Sequence, residues 1–163
     1  MTDSACFTVA EAEPEDALAV ARIHLASRRQ AMPYLRHAHT DDETRDYFVR
    51  AVAERRQAWW VVRHQGQVVA YMAIAGENLE HLYVSPCWQG RGFGSALLER
   101  AKALSAGRLT LWTFQRNERA RAFYEARGFR SIGQTAGKNE ESEPDVQYEW
   151  RKRRSADRVS RAG

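Results

Sequence analysis

Cysteine is nearly missing from this chain. Cys6 and Cys87 are the only two among 163 residues, so no disulfide framework underlies the fold. Cys87 has no evident base partner and reads as a packing residue. No window approaches the ~20 apolar residues that cross a bilayer. The N-terminus has no basic patch followed by a long apolar run. The expectation is a cytoplasmic chain with no membrane partner. The histidines (His24, His37, His39, His64, His81) form no familiar metal spacing. His37 and His39 come nearest and read better as polar loop residues, so no metal is expected. The terminal Gly-Lys-Ser/Thr of a Walker A loop is also absent, which disfavours a nucleoside triphosphatase.

What is present suits one globular domain. Hydrophobic residues make up 44% of the sequence, and a chain of this length buries roughly two thirds of its unfolded surface. The formal charge of +4 invites a nucleic-acid reading, but the charge is unevenly placed. Residues 151–163 hold six basic residues against Asp157, a balance of +5, which leaves residues 1–150 near −1. The division expected is a folded body over 1–150 and a basic, disordered tail over 151–163. The near-neutral body offers no positive track, so no nucleic acid is expected as a partner.

Hydrophobic periodicity and turn residues predict a mixed α/β order. Short strands are expected at 7–10, 59–63, 68–75, 79–84, 109–114, 129–134 and 146–150. A first helix runs from the Glu13-Pro14-Glu15-Asp16 start through Arg29, with Leu18, Ala21, Ile23, Leu25 and Ala26 as its buried stripe. A second helix, capped by Asp41 or Asp42, runs to about Arg55 with Tyr47, Phe48, Ala51 and Val52 inward. A third covers 95–105 with Leu97, Leu98, Ala101 and Leu104 inward, and a fourth covers 118–127.

The densest signal is Gln89-Gly90-Arg91-Gly92-Phe93-Gly94, a turn between a strand and a helix. Glycines there let the backbone curl, and the free N–H groups of a helix start hold a phosphate or diphosphate. Gln89 and Arg91 can add donors, while Phe93 suits an anchor against the sheet. A dinucleotide fingerprint fits loosely, since its sixth position falls on Ser95 and its acid near Thr110.

The segment 82–98, with Gln89-x-x-Gly92-x-Gly94, resembles the acyl-coenzyme A motif of the GCN5-related N-acetyltransferase (GNAT) family. Residues 112–129, holding Asn117, Tyr124, Gly128 and Phe129, resemble that family's second hallmark helix. The likeness covers about residues 5–150. It implies a three-layer fold with a central mixed, mostly antiparallel twisted sheet, splayed between strands 4 and 5. It implies that acetyl-CoA is the acyl donor, with its pantetheine arm along Leu82, Tyr83 and Val84. The diphosphate would then rest on Gln89, Gly90, Arg91, Gly92, Phe93, Gly94 and Ser95.

Asn117 and Tyr124 are seven positions apart and share a helix face. The resemblance implies a coenzyme A contact for Asn117; a backbone cap is the alternative. It implies for Tyr124 the role of general acid toward the leaving sulfur, the alternative being packing with Phe123 and Phe129. Gly128 is placed to end that helix. The attacking amine must be neutral, and Glu80, mid-strand, is the first candidate base, with Glu77 second and His81 third. A solvated edge carboxylate is the other reading of both glutamates. Strand alternation would send His81 to the face opposite Glu80. Asn78 stands where some protein-modifying members carry a base Glu, which weakens a histone-like assignment.

The acceptor pocket implied by the resemblance is shaped by the first helix, its following loop and the last hairpin. These supply Arg28, Arg29, Tyr34, His37, His39 and the acidic loop 139–145, whose charge would attract a cationic amine or else face solvent. The activity expected is N-acetylation of a primary amine, small or peptidic, by direct attack in a ternary complex. A non-catalytic acyl-CoA sensor, or transfer of a longer acyl group, are the alternatives. A homodimer is a further expectation of the resemblance.

Overall fold

In the computed structural model residues 6–154 are described. Seven strands form one sheet in the order β1-β2-β3-β4-β5-β7-β6. They are β1 Phe7–Glu11, β2 Ala58–His64, β3 Gln67–Ala75, β4 Asn78–Val84, β5 Arg108–Phe114, β6 Arg130–Thr135 and β7 Asp145–Arg151. Four helices cover it: α1 Ala17–Ala31, α2 Asp41–Glu54, α3 Phe93–Leu104 and α4 Glu118–Glu125. The strand β7 runs one residue past the boundary expected at 150, and Lys152 N–H still bonds to the Gly107 carbonyl at 2.8 Å. The expected disorder of the basic tail concerns residues that, from 155 on, lie outside the described residues.

The three-layer expectation is met. One core cluster packs α1 and α2 against the sheet through Val20, Ala21, Phe48, Val61 and Tyr71. The other joins α3 and α4 to the opposite face through Leu97, Leu98, Leu109, Leu111, Tyr124 and Tyr148. Each of these large side chains contributes about 1.5–3 kcal/mol by leaving water.

The local expectations need three corrections. Thr40, not Asp41 or Asp42, caps α2: its hydroxyl accepts from Glu43 N–H at 3.2 Å and Glu43 returns the bond at 2.7 Å. This reciprocal Thr-x-x-Glu box satisfies two free donors at once, and the two aspartates fall in the first turn. In α1 the buried stripe is Ala17, Val20, Ala21, Ile23 and Ser27, while Leu18 is exposed. Tyr47 and Leu104 are exposed as well.

Neighbouring strands are antiparallel except β4 and β5. That parallel pairing is confined to Asn78 opposite Thr110, with Thr110 N–H bonded to the Glu77 carbonyl at 2.8 Å. Beyond this point the strands part. The cause lies in β4 itself: Ala73 faces His81 and Ile74 faces Leu79, so Glu80 is an extra, unpaired residue. Such a bulge bends the strand and sharpens its twist, which carries β4 away from β5.

The bulge also resets which way side chains point. Leu79, Leu82 and Val84 pack on the α3 side, while Tyr83 packs on the α1–α2 side with His81 against it and against Phe48. Glu80 turns to that side too, accepting a 2.9 Å bond from Gln57, whose amide also reaches Tyr47 at 3.4 Å. Glu80 and His81 therefore do not lie on opposite faces, as unbroken alternation would have it.

Candidate active site

The glycine turn folds as a cradle. Gly90 and Gly92 take φ of +76° and +86°, the left-handed region that side chains resist. Gly92 is the N-cap of α3, which begins at Phe93, two residues earlier than expected. The first N–H groups of a helix have no partner in their own helix, so here they open toward the cleft. At Gly94 a Cβ would meet Val84, Phe123 and Leu82 at 3.5–3.7 Å, ordinary contact distances, so the helix start packs closely against β4 and α4. Phe93 is buried at 1% exposure and packs edge-on against Phe7, as its anchor reading requires.

From the cradle a cleft of about 670 Å³ runs into the gap between β4 and β5. Of the predicted binding residues it is lined by Leu82, Tyr83, Val84, Gln89, Gly90, Gly92, Phe93, Gly94, Ser95, Asn117 and Tyr124. Arg91 is not among the lining residues: its guanidinium lies over the Trp88 ring at 4.7 Å. Gln89 is also engaged, donating to the Val84 carbonyl at 3.2 Å and accepting from Arg119 at 2.9 Å.

Asn117 caps α4, its Oδ1 accepting from Ala120 N–H at 3.2 Å. It also borders the cleft, and the cap leaves its side-chain NH₂ unused. The helix ends at Glu125, two residues before the boundary expected at 127, and Gly128 at φ +90° turns the chain so that Phe129 N–H bonds to the Tyr124 carbonyl at 3.1 Å. Tyr124 packs between Phe123 and Phe129 yet borders the cleft. Burial, and secondarily Tyr83, pushes its phenol well above the ordinary range, so it stays protonated at neutral pH.

Ser27, Trp112, Arg119 and Arg127 are among the lining residues that escaped the sequence reading. Ser27 on α1 donates to the Val84 carbonyl at 2.8 Å and fixes α1 to the edge of β4. Arg119 on α4 and Arg127 just past its end bring two cations across the cleft, the latter holding Ser95 Oγ at 2.8 Å. Trp112 projects from β5 with 46% of its surface exposed. Arginines spaced along a helix read as a solvated face, and only the sheet's gap turns these toward a ligand.

Of the three candidate bases, Glu80 alone borders the cleft. Glu77 is held by Arg108 at 2.5 Å outside it. His81 is sealed among Phe48, Trp59 and Tyr71. Its Nδ1 lies 3.3 Å from the Tyr71 hydroxyl, which is itself 2.8 Å from His24 Nδ1. Burial first, then Arg28, lowers His81 from 6.5 to about 4. Burial, then His81 and Arg28, lowers His24 to about 2. Both imidazoles stay neutral near pH 7, which suits a packed polar cluster.

This has a consequence for stability. The unfolded chain takes up these protons below pH 6.5, while the folded chain refuses them down to about pH 4 at His81 and about pH 2 at His24. Their contribution is therefore complete above pH 6.5 and is lost as pH falls. By pH 4 each group is expected to cost about 3 kcal/mol. Urea titrations of the unaltered chain and His81→Gln from pH 7 to 4 check this. The variant should lose stability more gently with falling pH, and parallel curves would contradict it.

On the acceptor side, three of the four carboxylates of the 139–145 loop are engaged within the fold, while the Glu140 side chain is 74% exposed. Glu141 binds Arg28 at 2.7 Å, Glu143 binds Arg116 at 2.6 and 3.0 Å, and Glu140 lies 3.4 Å from His39. Asp145 accepts from Asn139 at 2.9 Å and from Thr135. The Arg116 guanidinium stacks on Tyr34, 3.7 Å from the ring centre. Among the described residues no group of three His, Cys, Asp or Glu is arranged to hold a metal, and no helix is long and apolar enough to cross a membrane. Both cysteines are exposed free thiols.

The same fold occurs in solved structures of other proteins. The solution structure of apo YjaB from Escherichia coli matches with TM-score 0.71 at 21% identity, covering 91% of this chain and 99% of that one. The PaiA N-acetyltransferase from Thermoplasma acidophilum, in complex with coenzyme A, matches with TM-score 0.68 at 14% identity, covering 90% and 99%. At these identities the likeness is one of fold.

By sequence, residues 55–131 match the family model described as "Acetyltransferase (GNAT) domain". The peptidyl-lysine N-acetyltransferase YjaB of Salmonella typhimurium is 34% identical over 77 residues, 47% of this chain and 52% of that protein. The N-acetyltransferase Rv2669 of Mycobacterium tuberculosis is 35% identical over 95 residues, 53% and 61%. The chain thus spans about half to three fifths of the length of these relatives.

Proposed function

We propose that this protein transfers an acetyl group from acetyl-CoA to a primary amine by direct attack in a ternary complex. The observation that carries the reading is the unpaired edge of β4 leading from the cradle to Tyr124, all within one cleft. The diphosphate rests on the amides at the start of α3, with Arg119 and Arg127 adding charge from the other wall. Pantetheine amides bond to the β4 backbone groups that β5 leaves unpaired. The bound coenzyme A of the Thermoplasma structure and the acetyltransferase names of the relatives support this assignment.

In the transfer, the amine nitrogen bonds to the thioester carbonyl carbon and the carbon–sulfur bond breaks. The Tyr124 hydroxyl gives its proton to the departing sulfur, and Glu80, directly or through water, takes the proton the amine sheds. The cleft contributes mainly by holding the two reactants together. The presence of a protonated phenol in the cleft favours an enzyme over an acyl-CoA sensor. Acyl groups longer than acetyl would need space beside Trp112, where the cleft is open.

The test is a coenzyme A release assay across amines, short peptides and several acyl donors. Release is expected only when donor and acceptor are both present. An acyl-enzyme that accumulates without an amine would contradict direct attack, and no release with any pair would favour the sensor.

A further inference from the structure

Beside the cleft lies a second hollow of about 400 Å³, bordered by Trp112, Phe114, Lys138, Glu141 and Asp145. Trp112 and Thr113 border both spaces, so the hollow adjoins the end of the cleft where transfer would occur. Its floor is aromatic: the half-exposed Trp112 beside Phe114, whose other side meets the Arg28 guanidinium at 5.9 Å.

Two features narrow what this hollow accepts. The first is closure. Arg28 to Glu141, His39 to Glu140, and Tyr34 through Arg116 to Glu143 tie α1 and its following segment to the 139–145 loop. An extended peptide would have to cross that line of contacts, whereas a small molecule sits within it. The second is charge. The two carboxylates of the lining already bond within the fold, Glu141 to Arg28 and Asp145 to Asn139 and Thr135, which leaves the Lys138 ammonium as the lining charge without a partner. Lys138 on the rim is exposed and has no carboxylate within ion-pair distance among the described residues.

We infer that the acceptor is a small amino-acid-like molecule, whose flat apolar body lies on Trp112 and whose carboxylate meets Lys138, and not a lysine within an extended peptide. This rests on the acetyltransferase reading above and specifies its substrate class. It departs from the peptidyl-lysine acceptor in the name of the Salmonella relative.

The experiment measures coenzyme A release by the full chain with saturating acetyl-CoA and three probes: phenylalanine, 2-phenylethylamine and an N-terminally blocked lysine peptide. Phenylalanine is expected to show kcat/KM about tenfold or more above the other two, the size of one charge-assisted contact. Lys138→Ala should raise KM for phenylalanine about tenfold with kcat held. The inference is overturned if phenylethylamine or the peptide is used as well or better. It is equally overturned if Lys138→Ala leaves KM unmoved, or if coenzyme A binds but none of the probes turns over. Failure of coenzyme A itself to bind in calorimetry would instead remove the acetyltransferase reading, and this inference with it.

Discussion

Tyr124→Phe is expected to lower kcat roughly a hundredfold or more while leaving the affinity for acetyl-CoA nearly unchanged. The size follows from the loss of a positioned proton donor, which is commonly worth 10²–10⁴ in rate. The unchanged affinity follows from packing: the ring sits between Phe123 and Phe129, and phenylalanine keeps those contacts. Burial that holds the phenol protonated far above neutral pH fits a group that must still own its proton when the thiolate departs. Steady-state kinetics with calorimetric binding separates the two quantities. A variant that turned over as fast as the parent would show that Tyr124 only packs. A variant that lost both rate and binding would make it a structural residue of the cleft.

The second large effect is expected at the cradle. Gly92 caps α3 at φ +86° with open space where a Cβ would go. Crowding therefore does not exclude a side chain, but the backbone conformation does. Left-handed geometry costs an ordinary residue about 1–2 kcal/mol, and a β-branched residue there is a genuine outlier. Gly92→Val should relieve that strain by rotating the loop, which takes the first N–H groups of α3 out of line with the diphosphate. Each 1.4 kcal/mol is tenfold in affinity, so acetyl-CoA is expected to bind about ten- to a hundredfold more weakly. A thermal melt shows whether the fold survives, and the titration reports the cradle. Unchanged affinity in a folded variant would mean that the diphosphate lies elsewhere.

The local features legible in the sequence are those in which the backbone demands a particular residue. Gly92 is required by a turn at positive φ, Asn117 by a helix cap, and Gly128 by a left-handed stop. Such demands are local and leave their mark within a few residues. The bulge at Glu80 leaves none, because Asn-Leu-Glu-His-Leu-Tyr-Val alternates well enough to pass for a regular strand. Only pairing with β3 reveals the extra residue, and with it the reason for the gap and the side on which Glu80 lies.

The partners of the acidic loop were not legible for a related reason. Arg28 and Glu141 are 113 positions apart, and nothing near either one announces the other. A run of carboxylates looks available until the fold brings most of them a partner. Arg91 shows the reverse case: a basic residue inside the phosphate motif, placed by the chain over Trp88 and away from the cleft. The capping of α2 lay closer to hand, since Thr40 and Glu43 are separated by the box spacing, but two neighbouring aspartates competed for the role.

The account depends most on the parted strands β4 and β5 and the helix start between them forming the seat of coenzyme A. Calorimetric titration of the unaltered chain with coenzyme A, free of any acyl group or amine, tests this directly. One molar equivalent should bind, and acetyl-CoA should compete for the same site. A chain that is folded by its thermal melt yet takes up no coenzyme A would contradict the account at its base.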